Sequence, residues 1–297
     1  MRALGWFLAA ILGTLVLAAL LAWPVWQLAH AIQPDWPFHK IVSRLWQLLL
    51  LVGLVVAVRR LNLRTREDWG YGLPRPQFLR QAGVGFAIGL ATMLPMSIAI
   101  VALGIRAFLP DLSAAIVFEG IATGLVTGLV VAIIEESFFR GLMFRAVSRE
   151  SGIAFAVAAT AVLYSAIHFL ARVRVPAAEV GWDSGFALLG VAFTRFADPL
   201  SIADSFITLT LVGVLLALVR ARTGAIAAGI GLHMGWICVI KSTTYATDTV
   251  AGAHYGYLIG SLDGYTGWLV ATWALIMILV GRALGWLRTA PLTAGRG

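Results

Sequence analysis

Glu135 and Glu136 stand side by side in the apolar stretch GLVVAIIEESFFRGLMF, with Arg140 one helical turn further on. The run from Ile121 to Ile134 carries no charge. A carboxylate at bilayer depth costs about 3 kcal/mol even on lenient insertion scales, so an ionisable residue there is a functional candidate by default. His168, in AVLYSAIHFLA, and His233, in AAGIGLHMGWICVI, sit in similar surroundings. Two carboxylates and two imidazoles inside apolar segments are the raw material of a buried acid–base site that activates water.

The spacing separates the two carboxylates. Gly120, Gly124, Gly128, Ala132, Glu136 and Arg140 recur every four residues. Small residues at this spacing let a neighbouring helix approach closely. Residues four apart face one another, so Glu136 and Arg140 read as a structural ion pair at the end of a packing stripe. Glu135 lies about 100° around the helix without a local cation. From there a carboxylate is available as a general base.

The elements that carry these residues must bring them together. The chain turns near Ser151 and Gly152, and an antiparallel hairpin turning there sets residue 135 opposite residue 168. Each lies about 16 residues from the turn, roughly 24 Å along its helix. Tyr164, one turn before His168, is placed to orient it or simply to pack against it. His233 falls well inside a later apolar segment, between Gly229, Gly231 and Gly235. Glu135, His168 and His233 are therefore expected to line one cavity within the bilayer.

Composition identifies the solvent. The chain has 297 residues, of which 60% are hydrophobic and 12% charged, and its mean hydropathy is +0.91. Soluble domains carry about 25% charged residues. The predicted fold class is all-α: a polytopic membrane bundle of about eight transmembrane helices enclosing a polar intramembrane cavity, with residues 1–297 forming a single membrane domain. The spans read as 5–28, 43–58, 82–104, 119–142, 152–171, 203–219, 224–241 and 266–285, each near the ~20 residues a bilayer requires. The segment 184–193 is apolar but too short to span. The first span reads as a retained anchor, since its apolar run exceeds a signal-peptide core.

The net charge is +8. Its arginines cluster at span ends, notably Arg59, Arg60, Arg64, Arg66, Arg75 and Arg80, with fewer at the other ends. This is how membrane proteins orient, and it places both termini on the cytoplasmic side of a cell membrane. The lipid bilayer is thus one partner. Nucleic acid is not, because no long basic surface exists to neutralise phosphates. Cys238 is the only cysteine, which excludes an intrachain disulfide and a cysteine-based metal cluster. Nothing in the sequence sets an oligomeric state.

These residues resemble a family. EESFFR at 135–140 is similar to the EExxxR motif of the CPBP intramembrane proteases, which include the type II CAAX prenyl endopeptidases and many abortive-infection proteins. YSAIH at 164–168 resembles the family's FxxxH motif, with Tyr for Phe. HMGWI at 233–237 resembles HxxxN, with Ile237 in the place of Asn. The resemblance covers a core at 119–241. It implies an intramembrane endopeptidase, acting on a peptide or membrane-protein substrate. Glu135 and His168 would activate water, with Glu136 and Arg140 in support and His233 stabilising the oxyanion. The only Asn is Asn62, in a basic loop, so no other Asn replaces the missing one; Trp236 offers an indole N–H instead. Losing one oxyanion donor costs about 10²–10³ in rate.

No cofactor is required by this reading. Two His and a Glu on three helices also describe a His₂Glu zinc site at Glu135, His168 and His233, although no HExxH pair is present. The alternative to an enzyme is a non-catalytic membrane scaffold or bacteriocin-immunity-type protein on the same fold. A proton-coupled transporter is disfavoured, because no internal repeat or paired broken helix appears.

Overall fold

A computed structural model describes residues 1–33, 35–170, 174–260 and 262–287. The end of the expected span at 171, and the basic residues Arg172, Arg288 and Arg296, which also enter the count of charges at span ends, lie outside them. The chain is helical almost throughout: α1 (Arg2–Ile32), α2 (Phe38–Arg60), α3 (Arg75–Ala102), α4 (Ala114–Ser151), α5 (Ile153–His168), α6 (Ser184–Ala192), α7 (Ala203–Thr223), α8 (Ala227–Ala246) and α9 (Trp268–Ala283). This is an all-α membrane helix bundle. Two three-residue strands, β1 (Arg106–Phe108) and β2 (Thr247–Thr249), pair antiparallel and tie the end of α3 to the end of α8.

Each of the eight predicted spans overlaps one of these helices, several of which run longer, and the short segment becomes α6. Five helices, α1 to α4 and α7, are long and apolar enough to cross a membrane. The other three differ for physical reasons. α5 and α9 have 16 residues each. α8 has 20 residues but carries Lys241, Ser242, Thr243 and Thr244 near its end. It lies between α3 and α4 and faces protein more than lipid, so it needs less apolar surface.

Glycine makes that three-helix layer close. A Cβ on Gly231 would sit 1.9 Å from the carbonyl oxygen of Ala82 on α3, and a Cβ on Gly124 would sit 2.8 Å from that of Cys238. Side chains there would force the helices apart. Elsewhere α1 pairs with α2, α6 lies on α1, and α7 packs on α5 and α9. α4 begins at Ser113, whose hydroxyl accepts from the Ile116 amide, as an N-cap should. It ends at Gly152, whose φ of +83° makes the tight turn into α5. α7 ends the same way at Gly224, φ +70°.

α4 is not a uniform helix. Residues Glu136–Met143 form a π-helical stretch, which the sequence reading did not anticipate. π-helical turns are rare and are found mostly at functional sites. Here the stretch directs Glu136, Phe139 and Arg140 into the protein, all at or below 5% exposure.

Candidate active site

The site is assembled from α4, α5 and α8. Glu136 and Arg140 are fully buried and paired, Nη1 to Oε1 at 3.1 Å. Arg140 also donates from Nη2 to the Gly213 carbonyl on α7, at 3.3 Å. Its guanidinium carbon lies 4.5 Å from the centre of the Tyr164 ring, within cation–π range. Arg220 on α7, a residue the sequence reading missed, donates from Nε to the Arg140 carbonyl at 2.9 Å. Its only signal was an arginine at a span end, which resembles any orienting charge.

Two imidazoles converge on Glu135, each on a different carboxylate oxygen. His168 Nε2 lies 3.8 Å from Oε1, and His233 Nε2 lies 3.9 Å from Oε2. Both separations exceed a hydrogen bond and leave the Nε2 atoms facing the carboxylate. The Nδ1 atoms are held elsewhere. His168 Nδ1 is 2.8 Å from the Tyr164 carbonyl oxygen. A carbonyl only accepts, so Nδ1 carries the proton and Nε2 presents a lone pair in the neutral ring. His233 Nδ1 is 3.2 Å from Glu136 Oε1 and donates to that carboxylate. Glu136 thus supports both Arg140 and His233, a second role that the four-residue spacing did not reveal.

Tyr164 orients His168 through its backbone carbonyl rather than its hydroxyl. Its ring packs against His168 at 4.6 Å and against His233 at 6.4 Å between centres. It is 2% exposed and forms the floor beneath both imidazoles.

A cavity of about 430 Å³ opens beside the pair, lined by Glu135 and His168. Its other walls come from α1 (Leu15, Ala19), α2 (Ser43, Trp46), α6 (Gly185, Leu189) and Arg195. The expectation of one cavity lined by all three residues needs correction. His233 is not among the lining residues; it is 5% exposed and lies behind Glu135. The side chains of Glu135 and His168 are 22% and 31% exposed.

Trp236 also departs from expectation. Its indole N–H donates to Thr92 Oγ1 on α3 at 3.0 Å, so it does not stand in for the missing Asn. Ile237 packs toward α4, its Cβ 3.4 Å from where a Cβ on Gly128 would be. Among the described residues no three His, Cys, Asp or Glu side chains converge as a group able to hold a metal ion. The two Nε2 atoms approach different oxygens of Glu135, at 3.8 and 3.9 Å.

No curated protein and no solved structure matches the chain. Residues 117–239, which carry Glu135, Glu136, Arg140, His168 and His233, match the family model of the type II CAAX prenyl endopeptidases, Rce1-like. The likeness to that family covers 123 of the 297 residues, the segment that carries all five of these side chains.

Proposed function

We propose that the protein is a multi-pass membrane endopeptidase in which Glu135 and His168 activate water against a peptide carbonyl. The observation that carries this reading is the position of Glu135. It is the carboxylate left without a cation, it faces two imidazole Nε2 atoms at 3.8 and 3.9 Å, and it borders a cavity. A gap of that size suits a bridging water. Glu135 takes a proton from the water as its oxygen attacks the carbonyl carbon. His168, fixed by the Tyr164 carbonyl, orients the water through its Nε2 lone pair. His233, anchored by its Nδ1 contact with Glu136, faces the developing oxyanion with its Nε2 edge. Collapse of the tetrahedral intermediate breaks the C–N bond, and Glu135 returns the proton to the leaving amine. These side chains carry every step, in preference to a His₂Glu zinc site at the same three residues, and chelation tests that choice.

Glu135→Gln keeps the shape and removes the base. It should lower cleavage by about 10²–10⁴ while leaving the protein folded. Cleavage by the wild type should survive stringent chelation. Activity restored only by added metal would sink the metal-free mechanism.

A second reading is favoured by Ile237. With Ile at the motif's Asn position and Trp236 committed to Thr92, neither of these side chains joins His233 at the oxyanion. A non-catalytic scaffold on the same fold predicts full biological activity from Glu135→Gln, measured by complementation.

A further inference from the structure

The helix ends sort into two faces. One carries Arg59, Arg60, Arg64 and Arg66 after α2, Arg145 and Arg149 at the end of α4, and Arg220 and Arg222 at the end of α7. The tight turn at Gly152 and the cap at Gly224 lie on the same face. The opposite face carries the start of α2, the end of α5, α6, the paired strands and the start of α9. The chain there is longer and more acidic, with Glu179, Asp183, Asp198, Asp248 and Asp263, and its basic residues, Lys40, Arg44, Arg106, Arg174, Arg195 and Lys241, are fewer and more scattered.

The cavity is built from this second face. Ser43 and Trp46 lie in the first turns of α2, and Ile167 and His168 end α5. Gly185 and Leu189 are on α6, while Arg195 and Leu262 come from loops of the same face. Arg195 is exposed and also lines the cavity, which places the mouth at the surface there. No residue of the 59–80 or 145–149 arginine clusters contributes to the lining. Basic residues in short loops mark the cytoplasmic side of a membrane protein.

We infer that the cavity holding Glu135 and His168 opens on the non-cytoplasmic face, so that the peptide it takes is an exported, membrane-proximal protein segment. The substrate clause rests on the protease reading above; the sidedness does not. Arg195 at the mouth and the apolar walls of α1, α2 and α6 suit a largely apolar peptide entering from that surface.

Single-cysteine variants test the opening. In a Cys238→Ala background, Arg195→Cys and Arg64→Cys are treated with a membrane-impermeant sulfonated maleimide, in right-side-out and in inverted membrane vesicles. Arg195→Cys should label in right-side-out vesicles and be lost in inverted ones, with Arg64→Cys the reverse. Labelling of Arg195→Cys only in inverted vesicles overturns the inference. Labelling of both from one side overturns it, as does an Arg195→Cys that never labels while Arg64→Cys does. Adding Glu135→Gln should leave each pattern unchanged, so loss of activity is distinguishable from wrong sidedness. Mapping new protein termini in membranes with wild type against Glu135→Gln tests the substrate. Cuts in exported segments support it and cuts in cytoplasmic segments overturn it. No cuts at all removes the protease reading and its substrate clause, and leaves the sidedness to the labelling.

Discussion

The layer α3–α8–α4 and the hairpin α1–α2 are both apolar helices, yet they are held differently. The layer is joined through glycines whose missing side chains admit neighbouring backbones, down to 1.9 Å from a built Cβ at Gly231. α2 buries only Phe38, Ile41 and Ala57 along 23 residues, and its principal neighbour is α1. Glu135, Glu136 and His233 stand on the tightly joined layer, while Ser43 and Trp46 stand on the loosely held wall. Lipid is as apolar as leucine, so helices in a bilayer adhere by close packing and polar contacts rather than by hydrophobicity. Glu135, Glu136 and His233 are thus fixed to closely joined helices, while His168 stands on α5 and α2 is held by few buried side chains.

The largest effect should come from the fixed side. Arg140→Ala leaves Glu136 buried without its guanidinium and with only the His233 Nδ1 contact, at a cost of about 3–5 kcal/mol. The amount of folded protein and its melting temperature in detergent should both fall; a wild-type melting curve would mean that the pair does not hold the layer. Gly231→Val comes next. Overpacking costs about 1–3 kcal/mol, and because α3 and α8 must separate, activity should fall with stability.

Much of this layer was legible in the sequence. Counting from the turn at Gly152 set Glu135 level with His168, because helix rise is constant. The four-residue stripe gave the Glu136–Arg140 pair and the face that meets α8. The π-helical stretch was not legible, since in a run apolar on every side the hydrophobic period carries no phase. The cavity walls on α1, α2 and α6 were hidden for a related reason: residues facing lipid and residues facing a cavity are alike apolar. Trp236 was misplaced because sequence puts its indole near His233 but says nothing of Thr92 on a helix far away in the chain.

Two smaller effects sharpen the contrast. Asp68, 4% exposed in the loop after α2, is drawn toward Arg149 at 3.2 Å and Arg145 at 3.5 Å. Burial pushes its carboxyl up, but Thr65 and the two arginines outweigh this, so it sits below the usual Asp value. The stability it contributes is fully present above the ordinary Asp pKa of about 3.9 and is lost as pH falls through its lower folded value. Because both arginines are partly exposed, the contribution is about 0.2–1 kcal/mol. Asp68→Asn should remove that share at neutral pH and flatten the loss of stability below about pH 4, as read by melting temperature across pH. Trp46→Ala, on the loosely held wall, should change stability by about 0.5 kcal/mol. It should widen the cavity and relax the range of peptides cleaved; a large drop in melting temperature would show that the hairpin is not loosely held.

The π-helical stretch has a consequence for how α4 tolerates change in length. Before it, residues up to Glu135 are in phase with α8; after it, residues from Phe144 are in phase with α1 and α5. A straight α-helix could not satisfy both sets of neighbours at once. A π-helical turn takes up one residue more than an α-helical turn. Deleting one residue between Glu136 and Met143 would let the helix revert to regular winding with both halves near their present phase. A residue lost elsewhere in α4 would instead turn its two halves relative to one another by about 100°, swinging Glu135 away from His168 or the turn at Gly152 away from α5. The stretch acts as a phase coupler, and Glu135 sits at the joint.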